Sequence, residues 1–135
     1  MTAYGEFRQP FNKDKFDFRI LFFGIRFLIE SYVAVKYTKD DVELAGKYLG
    51  LLHSNKPLAS FFETHNAGGT KFPFPKDLFL KFVEENNGYF PVVIKSLPEG
   101  SVIYPHVPVY QITAEKEYSR LVTYLETILT MVWVF

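Results

Sequence analysis

Residues 90–113 read FPVVIKSLPEGSVIYPHVPVYQIT, and this stretch decides most of the fold. It contains three short runs of β-branched and aromatic residues, at 92–94, 101–104 and 109–112, and such runs favour strands. The PEG segment at 98–100 predicts a tight reversal, because proline presets φ for a turn and glycine accepts a positive φ. We therefore expect a small antiparallel sheet in this region.

Two prolines refine that expectation, and the residues after them add a helix. Pro105 and Pro108 lack the N–H that a strand donates to its neighbour, which favours an edge strand or a bulge over a central strand. After residue 117 the apolar period changes from two to about 3.6, with Leu121 and Leu125 at helical spacing. A sheet with one long helix behind it is typical of a supporting layer, and nothing in the stretch indicates a reaction centre.

The chain before this stretch predicts a first strand and a first helix. Residues 4–8, YGEFR, favour a short edge strand. Residues 19–36 are apolar nearly all round, which predicts a helix that is buried from more than one side. Gly24 lies in the middle of that run, and we expect it to let another backbone come close.

Two further helices follow in the sequence. Thr38 and Asp41 form a loose capping box that opens the second helix, and we expect Gly50 to end it. The third helix is predicted to begin at about Lys76, directly after a proline, and to stop before Asn87.

Together these elements predict an α+β fold, in which a small antiparallel sheet packs with about four helices. A length of 135 residues suits one domain, so we expect a single domain over residues 1–135. The aromatic share is high, at 19%. Two explanations stay open: some rings line an interface, or the core is unusually rich in rings.

Charge and cysteine content narrow the class of protein. The formal net charge is zero, which argues against general affinity for nucleic acid because phosphate binding needs a basic excess. The absence of cysteine excludes disulfides and thiolate chemistry, and a cytoplasmic setting is expected. The longest apolar run, at 20–25, is far shorter than the ~20 residues of a membrane span, so no membrane association is expected.

No catalytic constellation is evident from the residues alone. His53, His65 and His106 fall on separate predicted loops without the close spacing of metal ligands, so we expect no metal site and solvent-satisfied histidines. Residues 66–70, NAGGT, could cradle a phosphate, but the FPFP run at 72–75 separates them from the next helix. From the residues alone we therefore expect a noncatalytic α+β domain.

A family resemblance adds to this interpretation. The run NNGYFPVVIKSLPEG at 86–100, followed by LETIL at 125–129 and by Trp133, resembles the N-terminal region of nicotinate and nicotinamide phosphoribosyltransferases. In that family a G-x-x-P-[VI]-x-I-x-x-[VL]-P-E-G segment precedes a strand pair and an E-T-[IL]-L-x-x-x-W helix. Residues 4–8 look like the family's Y-x-E-x-R strand, and the resemblance covers most of residues 4–133.

The resemblance implies a function that the residues alone do not. Family members transfer a phosphoribosyl group from phosphoribosyl pyrophosphate to nicotinate or nicotinamide, with Mg²⁺, in NAD biosynthesis. They are homodimers built on an α/β barrel, of the type II phosphoribosyltransferase class. The chain is accordingly expected to be the N-terminal portion of a nicotinate phosphoribosyltransferase, truncated before the barrel, binding no cofactor of its own and inactive alone. A nicotinamide enzyme and a noncatalytic interaction or dimerisation module that binds a full-length subunit are the alternatives.

One binding residue is implied by the resemblance. Arg8 matches an arginine of the Y-x-E-x-R strand that lies near the phosphate side of the partner subunit's site. A guanidinium suits bidentate contact with phosphate. The alternative is a surface arginine that pairs with Glu6 or Asp17.

Overall fold

The computed structural model describes residues 1–10, 16–54 and 75–134, and its chain divides into two compact units. The first unit combines Met1–Val35 with Phe90–Phe135, so it is discontinuous in sequence, and the second is Lys36–Tyr89. The described residues form small antiparallel sheets and four α-helices, which confirms the α+β class.

Five strands and two helices build the first unit. The strands are β1 (Thr2–Glu6), β2 (Ile20–Phe22), β3 (Val93–Ser96), β4 (Ser101–Ile103) and β5 (Pro108–Thr113). The helices are α1 (Ile25–Leu28), which continues as a π-helical turn (Ile29–Val33), and α4 (Ser119–Leu129), which lies between 3₁₀ turns at Lys116–Tyr118 and Thr130–Val134. The second unit contains α2 (Lys39–Ser54) and α3 (Lys76–Glu85).

The strands pair in two separate sheets. One has the order β1-β5-β3, with Ala3 and Ile94 both paired to Ile112, and the other is a β2-β4 ribbon. All three predicted strand runs are strands, but the second of them, β4, belongs to the ribbon and not to the sheet of its neighbours. The expectation of one sheet from these three runs was therefore wrong.

The prolines did not place β5 at an edge. β5 is the central strand, while Pro108 is its first residue and faces Glu6 where the register shifts after Gly5. A proline at the first residue of a strand, beside a bulge, costs no ladder bond that the sheet needs. The bulge was predicted correctly and the edge position was not.

The predicted helix over 19–36 was wrong in its first third. Ile20–Phe22 forms β2, and α1 begins only after Gly24, which has a φ of 99°. Leu21 and Phe27 are 57% and 54% exposed, so burial on all sides was also wrong. A continuous apolar run fits a strand as well as a helix, and periodicity alone does not separate the two.

The helices of the second unit follow their local signals. The Thr38 N–H donates to Asp41 Oδ2 at 2.8 Å, and the Asp41 N–H donates to Thr38 Oγ1 at 3.2 Å, which confirms the capping box. α2 continues through Gly50 to Ser54, so the predicted stop was wrong, because an interior glycine costs a helix only about 1 kcal/mol. α3 starts and stops where the sequence predicted, with Asn87 in the left-handed region at φ 56°.

The apolar core of the first unit lies between the three-stranded sheet, α1 and α4. The predicted apolar stripe is buried at Leu121, Leu125 and Leu129 on α4 and at Val132 in the turn after it, whereas its remaining member, Ile128, is only partly buried. Rings of this unit occur both inside and outside: Phe22 is fully buried, whereas Phe18 and Tyr104 are half or more exposed. Core and surface thus share the aromatic residues. Within the described ranges, no helix is both long and apolar enough to cross a bilayer.

Candidate functional site

A cavity of about 910 Å³ opens in the first unit. Its walls come from β1 and the residues just after it, from β2, from Tyr110 on β5, and from the end of α4 with the 3₁₀ turn that follows. The wall therefore combines an apolar side, made by rings and the 3₁₀ turn, with a polar side that carries Arg8 and Arg19.

The apolar side is a group of rings around Trp133. The Trp133 ring centroid lies 4.4 Å from that of Phe7 and 6.1 Å from that of Tyr110. Burial raises the pKa of the Tyr110 phenol, and the negative charge of Glu126 raises it further. The phenol therefore stays protonated at neutral pH and can donate a hydrogen bond.

Arg19 is fixed on the polar side by Asp17. The Arg19 Nε donates to Asp17 Oδ1 and its Nη2 donates to Oδ2, both at 2.9 Å, in a bidentate pair. These side-chain hydrogen bonds, together with one from the Arg19 N–H, lower the pKa of Asp17 from 3.8 to about 2. The carboxylate is therefore ionised at neutral pH, and it orients one edge of the guanidinium.

Arg8 is exposed and lines the same cavity, just beyond the end of β1. The sequence left open a surface pairing of Arg8 with Glu6 or Asp17. In the part of the chain that the structure describes, Asp17 pairs with Arg19, and Glu6 pairs with His106. Neither of these two acids is seen to pair with Arg8, whose exposed side chain lines the cavity.

The side chain of His106 is 67% exposed, as expected for a loop histidine in contact with solvent, but it also has a protein partner that the sequence did not predict. The ring Nδ1 of His106 lies 3.2 Å from Glu6 Oε1. The backbone N–H of His106 donates to the Phe7 carbonyl at 2.7 Å. With φ at 66°, His106 occupies the left-handed region at the turn before β5. The contact holds this turn against the segment that carries Arg8.

Other candidate residues fall outside the described part of the chain. They are the side chain of His53, His65, and the NAGGT loop at 66–70. Among the residues that are described, no group of three or more His, Cys, Asp or Glu could hold a metal ion.

The sequence pointed to Arg8 but missed the residues that line the cavity with it. Arg19 was assigned to the start of a helix, and Trp133 entered only as part of the family resemblance. No spacing rule links Arg8 to either residue, because β1, β2 and the 3₁₀ turn after α4 come together only through the fold. Chemically, the cavity presents the guanidinium of Arg8 beside a group of rings, and such a group can bind an anion. Glu6 and Glu126 add negative charge to the same wall, and Arg19 is already paired with Asp17.

Comparison with models of known protein families gives no match, and no curated protein matches the chain either.

Proposed function

We propose that this chain forms the N-terminal α+β portion of a nicotinate phosphoribosyltransferase. In that reaction the pyridine nitrogen of nicotinate bonds to the ribose of phosphoribosyl pyrophosphate, and pyrophosphate leaves. The product, nicotinate mononucleotide, enters NAD biosynthesis. The chain acts as scaffold within a dimeric enzyme, and the barrel that performs the chemistry lies outside residues 1–135.

The observation that carries this proposal is the packing of the motif segments. The Y-x-E-x-R strand, the PEG turn and the ETIL helix lie far apart in sequence, yet all three belong to the first unit. Within it β1 pairs with β5, and α4 contacts both strands. A shared domain requires such packing, and this supports treating the three segments as one family module rather than as chance matches.

The placement of Arg8 gives the proposal a specific contact. Its side chain is exposed, pairs with neither Glu6 nor Asp17, and lines the cavity. An exposed guanidinium of this kind suits bidentate contact with a phosphate group. We assign Arg8 this role in trans, as a phosphate-binding residue of the complete enzyme.

Reconstitution tests the proposal. The purified chain is assayed for pyrophosphate release from phosphoribosyl pyrophosphate with nicotinate and, separately, with nicotinamide, first alone and then mixed with the barrel portion of a nicotinate phosphoribosyltransferase. We expect no turnover by the chain alone and turnover in the mixture, faster with nicotinate. Robust turnover by the chain alone would contradict the proposal, as would an inactive mixture in which circular dichroism shows the chain folded.

A second candidate function is a noncatalytic interaction or dimerisation module. It is favoured by the β2-β4 ribbon, where the register partners Leu21 and Val102 are 57% and 63% exposed. Sedimentation of the chain alone and a pull-down against a full-length nicotinate phosphoribosyltransferase test it. Specific capture without gain of activity in the reconstitution favours the module. A monomer that captures nothing rules it out.

A further inference from the structure

The junction between β2 and α1 is held by a carboxylate from a distant turn. Gly24 precedes α1 with a φ of 99° and has no side chain with which to cap the helix. Glu99, on the turn between β3 and β4, accepts hydrogen bonds from the Gly24 N–H to Oε2 at 2.8 Å and from the Arg26 N–H to Oε1 at 2.7 Å. Both oxygens of Glu99 are therefore used on the first turn of α1.

The same turn also holds the end of β2. The Gly100 N–H donates to the Phe22 carbonyl at 2.8 Å, and the Ser101 hydroxyl closes the turn by donating to the Pro98 carbonyl at 2.6 Å. The turn thus forms hydrogen bonds with the chain on both sides of Gly24. Glu99 supplies the charged contacts, which are the stronger ones.

We propose that Glu99 is a latch on a glycine hinge at Gly24. A left-handed glycine can adopt other conformations at little cost, so the backbone there is free to rotate unless something fixes it. The Glu99 carboxylate fixes it by binding the two N–H groups that flank the bend. Together with the pairing of β2 and β4, the latch thereby holds the end of β2, and so the position of Leu21 and Phe23 in the cavity wall. This device does not depend on the proposed function.

The atoms of the contact make Glu99→Gln a sharp test. Glutamine keeps the shape of glutamate but has one acceptor oxygen, and its amide nitrogen would face an N–H donor. One of the two bonds is lost and the other loses its charge. Glu30→Gln is the matched control, since Glu30 lies on the π-helical turn after α1 and forms an exposed pair with the Arg26 side chain.

Amide hydrogen exchange, measured residue by residue by NMR, reports directly whether the Gly24 and Arg26 amides are hydrogen-bonded to Glu99. The first N–H groups of a helix have no partner within the helix, so protection at Gly24 and Arg26 requires Glu99. We expect exchange at these two amides to speed up about tenfold in Glu99→Gln relative to the amide of Ile112 in the sheet centre. We also expect acrylamide to quench Trp133 fluorescence more strongly in this variant, and Glu30→Gln to change neither signal.

Three results would overturn the latch. Fast exchange at Gly24 and Arg26 in the unmodified protein would do so without any variant, which keeps the idea testable if Glu99→Gln does not fold. Unchanged exchange at both amides in Glu99→Gln is the second. The third is an equal increase at Ile112, since this indicates a general loss of stability and not the opening of a hinge.

Discussion

The rings of Phe7 and Trp133 meet with their centroids 4.4 Å apart and their planes tilted by 48°. Phe7 directly follows the first strand, and Trp133 lies in the 3₁₀ turn after α4. The contact therefore joins segments from the two sequence pieces of the first unit. It also forms the apolar side of the cavity, so the same two rings contribute to stability and to the shape of the site.

Removing the Phe7 ring should destabilise the first unit. Phe7→Ala leaves one side of Trp133 without a neighbour, and for a half-buried ring we expect a loss of about 1–3 kcal/mol in the free energy of unfolding. Urea unfolding followed by the fluorescence of Trp133, the chain's single tryptophan, measures it. Phe7→Leu keeps most of the apolar volume and should lose less. Equal losses in the two variants would show that the ring contact itself is unimportant.

Gly5 should tolerate no larger side chain while Tyr110 is present. A methyl group added at Gly5 would overlap the Tyr110 ring. We expect Gly5→Ala to cost about 1–3 kcal/mol of unfolding free energy, because a packed ring must move. In the Tyr110→Ala background the overlap is gone, so the same change should cost much less. A double-mutant cycle by urea unfolding measures the coupling, and additive effects would contradict the packing argument.

Asp17 should titrate well below an ordinary aspartate. Hydrogen bonds from Arg19 lower its pKa from 3.8 to about 2. Since the folded value is the lower one, the pair stabilises the fold above the unfolded value of 3.8 and loses this effect as pH falls towards 2. NMR titration of the Asp17 carboxyl carbon tests this. In Arg19→Ala we expect the pKa to return towards 3.8, and a low value that persists would assign the shift to another group.

Losing the threonine of the capping box should reduce stability more than losing a threonine inside a helix. Thr38→Ala removes the hydroxyl that accepts from the Asp41 N–H, and we expect a loss of about 1 kcal/mol in unfolding free energy. Thr127→Ala is the control, because the Thr127 hydroxyl donates to the Tyr124 carbonyl inside α4 and caps no helix start. Alanine favours helix interiors, so that change should be neutral or slightly stabilising. Thermal unfolding compares the two, and the reverse order would contradict the cap.

Arg8 should act on the phosphate-bearing substrate. When this chain replaces the corresponding region of a nicotinate phosphoribosyltransferase, we expect Arg8→Ala to raise the KM for phosphoribosyl pyrophosphate by about tenfold or more, since a charged hydrogen bond is lost. Steady-state kinetics with varied phosphoribosyl pyrophosphate measures it. Arg120→Ala, an exposed arginine on α4, is the control and should change nothing. An unchanged KM in Arg8→Ala would end the proposed phosphate contact.

Local chemistry made several elements predictable from the sequence. The capping residues Thr38 and Asp41 fixed where α2 begins, and the pair Asn87-Gly88 fixed where α3 stops. The apolar spacing of Leu121 and Leu125 identified α4 and its buried side. Each of these signals acts within about one helical turn, so neighbouring residues contain all the information that is needed.

Strand partners and the cavity depended on contacts that local patterns do not encode. Ile20–Phe22 became a strand because Ile103 and its neighbours on β4 supplied a pairing partner, although the run alone suits a helix. Arg8 and Arg19 came to line one cavity through the same folding of distant segments.

The sequence by itself thus determined the class of the fold, the start of α2, the bounds of α3 and the positions of the three strand runs between residues 92 and 112. The tertiary structure decided which strands pair, where α1 begins, and which side chains surround the cavity. The physical reason is the distance along the sequence over which each interaction acts. Capping and periodicity act between neighbouring residues, whereas a hydrogen bond such as that from the Gly24 N–H to Glu99 joins residues 75 positions apart and forms only once the intervening chain has folded.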